Sequence, residues 1–220
     1  MEEVARTESE RGELVLRRRG DGTLELRANG VFVMDTAETS SERALAGEAL
    51  ARHEDPAIVL VGGLGLGFTL AEVLADERVR RVVVAEIEPA LVGWLRDGTV
   101  PHGPALMADP RVEVEIGDVA HTLAGGEAAY DLVLLDVDNG PGYLVHDANA
   151  ALYGADLLAN TRRAIKSGGL CVIWSAASDD RLEDSMRTVF GDAEAAAYDV
   201  DLQGRAEHYW LYLARVRSRA

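Results

Sequence analysis

Two carboxylates and an amide follow an apolar run near the middle of the chain. The run YDLVLL leads directly into Asp136, Asp138 and Asn139 and then into a Gly-Pro-Gly turn. Carboxylates at the end of a buried strand can bind a substrate or take a proton from it. We predict Asp136 and Asp138 as catalytic residues, although they point to opposite sides of an extended strand and so do not form a pair. Asn139 is predicted to bind substrate, with an Asx-type turn as the alternative role for Asp138 and Asn139.

A glycine-rich turn follows an earlier apolar run. Residues 62–67 read GGLGLG, directly after the run AIVLV and directly before a helical pattern. Glycines let the backbone approach a ligand closely, and the N-terminus of the following helix favours a negative group. We predict that Gly62, Gly63, Gly65 and Gly67 contact a nucleoside cofactor. The same pattern also occurs where glycines merely close a strand-to-helix turn, which is the alternative for this motif alone.

Acidic residues end the two strands predicted after the glycine turn. Glu86 lies about twenty residues beyond the turn, the spacing at which a carboxylate can accept both ribose hydroxyls. We predict Glu86 and its neighbour Ile87 as cofactor contacts. Asp118 and Val119 follow the next strand, where the carboxylate can accept the adenine amino group. Helix capping is the alternative role for Asp118 and for Glu88.

These residues share one site only if parallel strands bring them to one edge of a sheet. From residue 57 onward, continuous Val, Ile and Leu runs alternate with helical patterns, which is typical of parallel strands covered on both faces. Two closing runs, 195–203 and 207–217, are close enough to pair as an antiparallel hairpin. We therefore predict an α/β, Rossmann-like domain over residues 39–220 with a mostly parallel sheet.

The residues before this domain have a different pattern. Two strand-like runs flank Gly20-Asp21-Gly22, which predicts a small N-terminal β-hairpin appendage over residues 13–38. Residues 1–12 are charged and without periodicity, so we expect a mobile tail there. A Thr-Ser-Ser-Glu sequence at residues 39–42 predicts the capped start of a helix.

Composition narrows the ligand and the compartment. A chain of 220 residues supports one well-buried core. Its net charge of −16 argues against a nucleic-acid partner. The acidic charge would favour a cationic acceptor if the acids cluster in a pocket, but a need for solubility alone also accounts for it. The single cysteine, Cys171, lies in an apolar run and reads as a buried hydrophobe. No metal site, signal peptide or membrane span is predicted, and the cytoplasm is the expected location.

The order of these motifs resembles the class I S-adenosylmethionine-dependent methyltransferase superfamily and, within it, the spermidine synthase-like (aminopropyltransferase-like) branch. The resemblance covers residues 28–215 and rests on the segments NGVF, AEIEPALV, IGD and YDLVLLDVDNGPG, the last followed by Leu152-Tyr153. It implies a seven-stranded methyltransferase sheet and a homodimer. It also implies that the glycine turn meets the amino-acid end of the cofactor, Glu86 the ribose, Asp118 the adenine and Asp136 the reacting end.

Departures from that branch favour methyl transfer as the reaction. Spermidine synthases carry an aspartate in the glycine turn and a DSSDP-like segment, where this chain has GGLGLG and DVDNGP; Val33 and Glu42 stand where the branch has polyamine-binding Gln and Tyr. A turn without an acid favours a cofactor that keeps its carboxylate.

We therefore expect methyl transfer from S-adenosylmethionine, with S-adenosylhomocysteine as product, to a small-molecule acceptor bound near Tyr143 and Trp174. The acceptor is a hydroxyl, an amine or a carboxylate. The alternatives are aminopropyl transfer from decarboxylated S-adenosylmethionine and a non-catalytic nucleotide-binding module.

Overall fold

Two β-sheets and seven helices make up the residues that the structure, a computed structural model, describes: 1–137 and 154–217. The strands are β1 (Glu2–Ser9), β2 (Gly12–Arg18), β3 (Leu24–Ala28), β4 (Val31–Asp35), β5 (Ile58–Gly62), β6 (Arg81–Glu86), β7 (Val112–Ile116), β8 (Tyr130–Leu135), β9 (Ile165–Ser175), β10 (Glu194–Leu202) and β11 (Arg205–Arg215). The helices are α1 (Ser40–Ala51), α2 (Phe68–Ala75), α3 (Pro89–Arg96), α4 (Gly103–Met107), α5 (Val119–Gly125), α6 (Ala155–Ala164) and α7 (Asp180–Phe190). None of the described helices is long and apolar enough to cross a membrane.

The larger sheet confirms the predicted fold class. Within the described residues it has seven strands in the order β10-β11-β9-β8-β5-β6-β7. The strands from β9 to β7 run parallel, whereas β11 and β10 close the sheet as an antiparallel hairpin. The chain builds outward from β5 in one direction and from β8 in the other. Ligands of open α/β sheets bind at such a switch point, beyond the carboxyl ends of the strands.

The apolar runs form strands because both faces of the sheet are covered. Every residue of β8 is buried, and side chains from alternate positions of β5, β8 and β9 enter two separate apolar clusters on opposite faces. Continuous Val and Leu runs meet this requirement, which an alternating polar pattern would not. The central strands are therefore fixed by packing on both sides, and their carboxyl ends form a rigid edge.

The N-terminal region is a four-stranded antiparallel sheet, more extensive than the predicted hairpin. Its strand order is β1-β2-β3-β4, and the run predicted as one strand over residues 23–34 is split by a turn at Asn29 and Gly30, both with positive φ. The expected mobile tail is wrong for most of residues 1–12, because β1 pairs with β2 along its length. Its charged side chains find partners across the sheet, as Arg6 does with Glu13. Backbone pairing, which needs no apolar periodicity, forms this strand.

Helix α1 joins the two sheets. Its N-cap residue is Thr39, whose hydroxyl accepts no backbone N–H of the helix, so the predicted hydroxyl cap is absent at this residue. Ser41 and Glu42 in the first turn are buried instead. A charged side chain buried at a helix start is unusual for a surface helix, and its position faces the site described next.

Candidate active site

A cleft opens where the carboxyl ends of β5, β6, β7 and β8 meet the N-terminal sheet. Its wall combines apolar side chains of the N-terminal sheet, such as Leu14, Leu26 and Met34, with the loops that follow the parallel strands. The empty space within the cleft, open solvent at its mouth included, is about 1260 Å³. Residues of both sheets therefore line one cleft at the switch point of the parallel sheet.

The glycine turn contributes two of its four predicted residues to the cleft wall. Gly63 and Gly65 line it, whereas Gly62 and Gly67 do not. At Gly63, φ is +91°, and an added Cβ would lie 2.0 Å from the backbone oxygen of Asp136. A side chain cannot fit at that separation. The glycine at this position therefore lets the turn after β5 and the end of β8 come into direct contact.

Glu86 joins two loops from beneath the cleft. Its carboxylate accepts the N–H of Leu64 at 2.7 Å and the N–H of Glu88 at 2.8 Å, and the side chain is buried. Burial raises the pKa of the Glu86 carboxyl, whereas these two N–H groups act to lower it. A carboxylate accepts about four hydrogen bonds, so these backbone contacts leave Glu86 able to accept a further donor from a ligand. Glu86 thus organises the glycine turn as well as lining the cleft beside Ile87.

Two further acids at strand ends also line the cleft. Asp118 caps α5 by accepting the N–H of Ala120 at 2.8 Å, which is the alternative role that the sequence left open; its neighbour Val119 lines the cleft too. Glu88 makes no cap bond to α3. Its carboxylate instead accepts the hydroxyl of Ser9 at 3.1 Å, across from the N-terminal sheet. This hydrogen bond ties the N-terminal sheet to the part of the cleft wall that follows β6.

Asp136 lies at the end of β8, where the strand order reverses. Burial, together with the negative charges of Glu42 and Glu86, raises its pKa to about 8. A carboxyl with this pKa is protonated in part near neutral pH, so it can exchange a proton with a substrate amine. The structure places Asp136 in the cleft wall, and its role as the reaction centre stays a prediction.

Another part of the cleft wall is formed by elements far apart in the sequence. Trp174 from β9 and Tyr209 from β11 both line it, and their rings pack edge to face with centroids 4.8 Å apart. The predicted site residues Asp138, Asn139 and Tyr143 lie outside the described residues.

Acidic side chains dominate the polar part of the cleft wall. Within residues 1–137 and 154–217, seven carboxylates and one basic residue, Arg11, line it. The carboxylates are Asp35, Glu38, Glu42, Glu86, Glu88, Asp118 and Asp136. Clustered acids focus a negative potential that favours cationic ligands. Glu42, Glu38 and Asp35 were not predicted as site residues, because only the packing of β4 and α1 against the main sheet brings them to the cleft.

The fold matches that of solved spermidine synthase structures. A spermidine synthase in complex with the transition-state analogue AdoDATO matches 99% of this chain and 75% of its own with a TM-score of 0.86 at 17% identity. The spermidine synthase of Thermotoga maritima matches 99% of this chain and 74% of its own with a TM-score of 0.83 at 16% identity. Likeness at this level of identity establishes the fold.

Sequence comparison gives the family. The model of the spermine/spermidine synthase domain matches residues 38–187, so the chain belongs to that family. It is 29% identical over 183 residues to polyamine aminopropyltransferase 2 of Pseudomonas aeruginosa, covering 75% of this chain and 50% of that protein. It is also 29% identical over 158 residues to the polyamine aminopropyltransferase of Nitrosomonas europaea, covering 69% of this chain and 47% of that protein. The chain spans about half the length of these relatives.

These findings correct the predicted reaction. Methyl transfer, with S-adenosylmethionine as cofactor and S-adenosylhomocysteine as product, is wrong, because the family and the named relatives are aminopropyltransferases. The prediction rested on the missing acid in the glycine turn. The structure shows why that local reasoning failed: the cleft receives acids from α1 and β4, so the turn is not the only place from which a carboxylate can reach a ligand.

Proposed function

We propose that the protein is an aminopropyltransferase that moves the aminopropyl group of decarboxylated S-adenosylmethionine to a polyamine-type amine. The observation that carries this proposal is the excess of carboxylates over basic groups in the cleft wall. Decarboxylated S-adenosylmethionine has a sulfonium and an ammonium but no carboxylate, and the acceptor amine is also cationic. Both are attracted to an acidic cleft, whereas the carboxylate of intact S-adenosylmethionine is repelled.

The donor fits the cleft with its nucleoside at the ends of β5, β6 and β7. In this arrangement the backbone at Gly63 and Gly65 faces the sulfonium end, Glu86 accepts the ribose hydroxyls, and Asp118 accepts the adenine amino group. This placement is supported by the position of each residue in the cleft wall. It leaves the aminopropyl carbon next to Asp136 and opposite the aromatic pair of Trp174 and Tyr209.

Asp136 is the general base in this proposal. An alkyl amine is protonated near neutral pH and becomes a nucleophile only after it loses a proton. Asp136, with its raised pKa of about 8, takes that proton more readily than an ordinary carboxylate would. The amine nitrogen then attacks the carbon attached to sulfur, the C–S bond breaks, and its electron pair neutralises the sulfonium. The cleft contributes mainly by aligning nitrogen and carbon and by excluding water.

The direct test is turnover with defined donors and acceptors. The purified full chain is incubated with decarboxylated S-adenosylmethionine and a series of linear diamines, and the extended amine and 5′-methylthioadenosine are measured by mass spectrometry. Parallel reactions contain intact S-adenosylmethionine. We expect both products when the reaction contains the decarboxylated donor and a diamine, and neither product with the intact donor. Absence of an extended amine with every diamine would overturn the proposal, as would faster reaction with the intact donor. The homodimer and the cytoplasmic location remain predictions.

A further inference from the structure

Glu42 is a buried carboxylate at the cleft wall without a compensating positive charge among the described residues. Its side chain is 8% exposed and lines the cleft from the first turn of α1. The carboxylate accepts a hydrogen bond from the hydroxyl of the adjacent Ser41 at 2.8 Å. No lysine, arginine or histidine in residues 1–137 and 154–217 forms an ion pair with it. Burying a charge in this way is costly unless a cation or further donors accompany it.

Three other buried acids of the cleft wall have such compensation. Asp35 pairs with Arg19, and Glu86 accepts two backbone N–H groups. Glu88 accepts the Ser9 hydroxyl and lies 3.7 Å from the Arg11 guanidinium. These three carboxylates are therefore accounted for by the protein itself. Glu42, like Asp136, has no ion pair among the described residues, and a cation that enters the cleft would compensate both carboxylates.

The electrostatic neighbours of Glu42 show where that ligand lies. Among nearby charges, Glu42 has the largest effect on two other groups at the cleft wall. It raises the pKa of Asp136, adding to the effect of burial, and it contributes in the same way to raising the pKa of Tyr209 to about 12. The Glu42 carboxylate therefore faces both the reaction centre and the aromatic side of the cleft. A cation placed there meets two carboxylates at once.

We propose that Glu42 is an amine-binding residue, which together with Asp136 holds the ammonium group of the acceptor while Ser41 fixes the orientation of its carboxylate. This inference rests on the proposed aminopropyl transfer. The ammonium gives one proton to Asp136, and the freed lone pair forms the new N–C bond as the C–S bond breaks toward sulfur. The product nitrogen is again positively charged. A bound ammonium favours the ionised form of Glu42, whose negative charge then stabilises the cation before and after the reaction.

The substitution Glu42→Gln tests this role because it removes the charge and keeps the shape. A matched control is Glu48→Gln on the same helix, at a site where the carboxylate pairs with Arg52 away from the cleft. The measurements are steady-state kinetics with a linear diamine varied at saturating donor, the converse experiment with the donor varied, and thermal unfolding. We expect Glu42→Gln to raise the KM for the diamine about tenfold or more, because a buried charged partner is lost. The KM for the donor and all parameters of Glu48→Gln stay within about twofold of the wild type.

Thermal unfolding separates binding from a structural role. Removing an uncompensated buried charge relieves repulsion, so the unliganded Glu42→Gln protein is expected to melt at the same temperature as the wild type or higher. A lower melting temperature together with an unchanged KM for the diamine would show that Glu42 supports the fold and would overturn the inference. An altered KM for the donor alone would also overturn it.

Calorimetry keeps this inference distinct from the proposed reaction. A linear diamine is titrated into the wild type and into Glu42→Gln, without donor, so that no turnover is required. Weaker binding to the variant supports the role of Glu42 even if the wild type makes no product in the turnover assay. Equal binding to the two proteins, or no binding of the diamine to the wild type, overturns it.

Discussion

The buried acids on the two sides of the cleft differ in the groups that compensate their charge. On the nucleoside side, Glu86 is surrounded by backbone N–H groups that come from the same turns whose shape it fixes. On the acceptor side, Glu42 accepts the hydroxyl of the adjacent Ser41 and has no ion pair among the described residues, and its charge adds to the effect of burial in raising the pKa of Asp136. On the nucleoside side, the protein itself supplies hydrogen-bond donors to the buried carboxylate before a ligand binds. On the acceptor side, the compensating positive charge comes from a bound cation.

This difference has an energetic meaning. A buried carboxylate that accepts backbone hydrogen bonds stabilises the fold, and losing it leaves buried donors without partners. A buried carboxylate near other carboxylates stores repulsion in the unliganded protein. That repulsion is relieved when an amine binds, so part of the binding free energy of the amine comes from removing the repulsion between the carboxylates of the empty cleft. Substitutions on the two sides are therefore expected to change stability in opposite directions.

The largest effect is expected at Asp136. In Asp136→Asn the side chain keeps its shape and loses its ability to take a proton, so we expect kcat to fall by about 10²–10⁴-fold. Binding of the donor is expected to change little, because the nucleoside contacts lie on other strands. The measurement is single-turnover formation of the extended amine, with donor affinity determined in parallel by calorimetry. A variant that keeps kcat within about threefold of the wild type would remove Asp136 from the role of base.

The next effect concerns Glu86 and the completed side of the cleft. Glu86→Ala leaves the N–H groups of Leu64 and Glu88 without their acceptor, and each buried donor left unsatisfied costs about 1–3 kcal/mol. We expect the free energy of unfolding, measured in urea, to fall by about 2–4 kcal/mol and donor binding to weaken, in contrast to Glu42→Gln. Glu113→Gln, on the exposed end of the same sheet, is the control. If Glu86→Ala and the wild type had equal free energies of unfolding, Glu86 would not stabilise the fold, and the contrast between the two sides of the cleft would be wrong.

The sequence predicted the nucleoside side better than the acceptor side, and the reason is distance along the chain. Val and Leu runs identified the strands, and the ends of those strands carry Glu86, Asp118 and Asp136, so local patterns were enough to place them. Glu42 reaches the cleft because α1 packs between two sheets; its one signal in the sequence was its alignment with a polyamine-binding position of the branch, which we interpreted as a departure from the branch and not as a site residue. The same limit misdirected the choice of reaction, because the glycine turn was considered without the acids that distant elements bring. Strand β1 was not predicted, because its charged sequence has no apolar periodicity and the strand forms through backbone pairing with β2.

The smallest effect is a pH dependence of stability that comes from the acceptor side. Burial and the charges of Glu42 and Glu86 raise the folded-state pKa of Asp136 to about 8, and the pKa values of Glu42 and Glu86 are raised as well. The folded protein therefore holds protons that the unfolded chain has released. Its stability is greatest below the unfolded pKa of a carboxyl and decreases as the pH rises toward the folded pKa.

We expect the free energy of unfolding of the unliganded protein to decrease by about 1–2 kcal/mol between about pH 6.5 and about pH 8, measured by urea unfolding. Asp136→Asn removes the titrating group, so its stability is expected to depend less on pH in this range. A saturating linear diamine is expected to reduce the dependence in the wild type too, because a bound ammonium stabilises the ionised carboxylates. If stability instead increased with pH in this window, the carboxylates of the acceptor side would be ionised and compensated in the empty cleft, and the two sides would not differ.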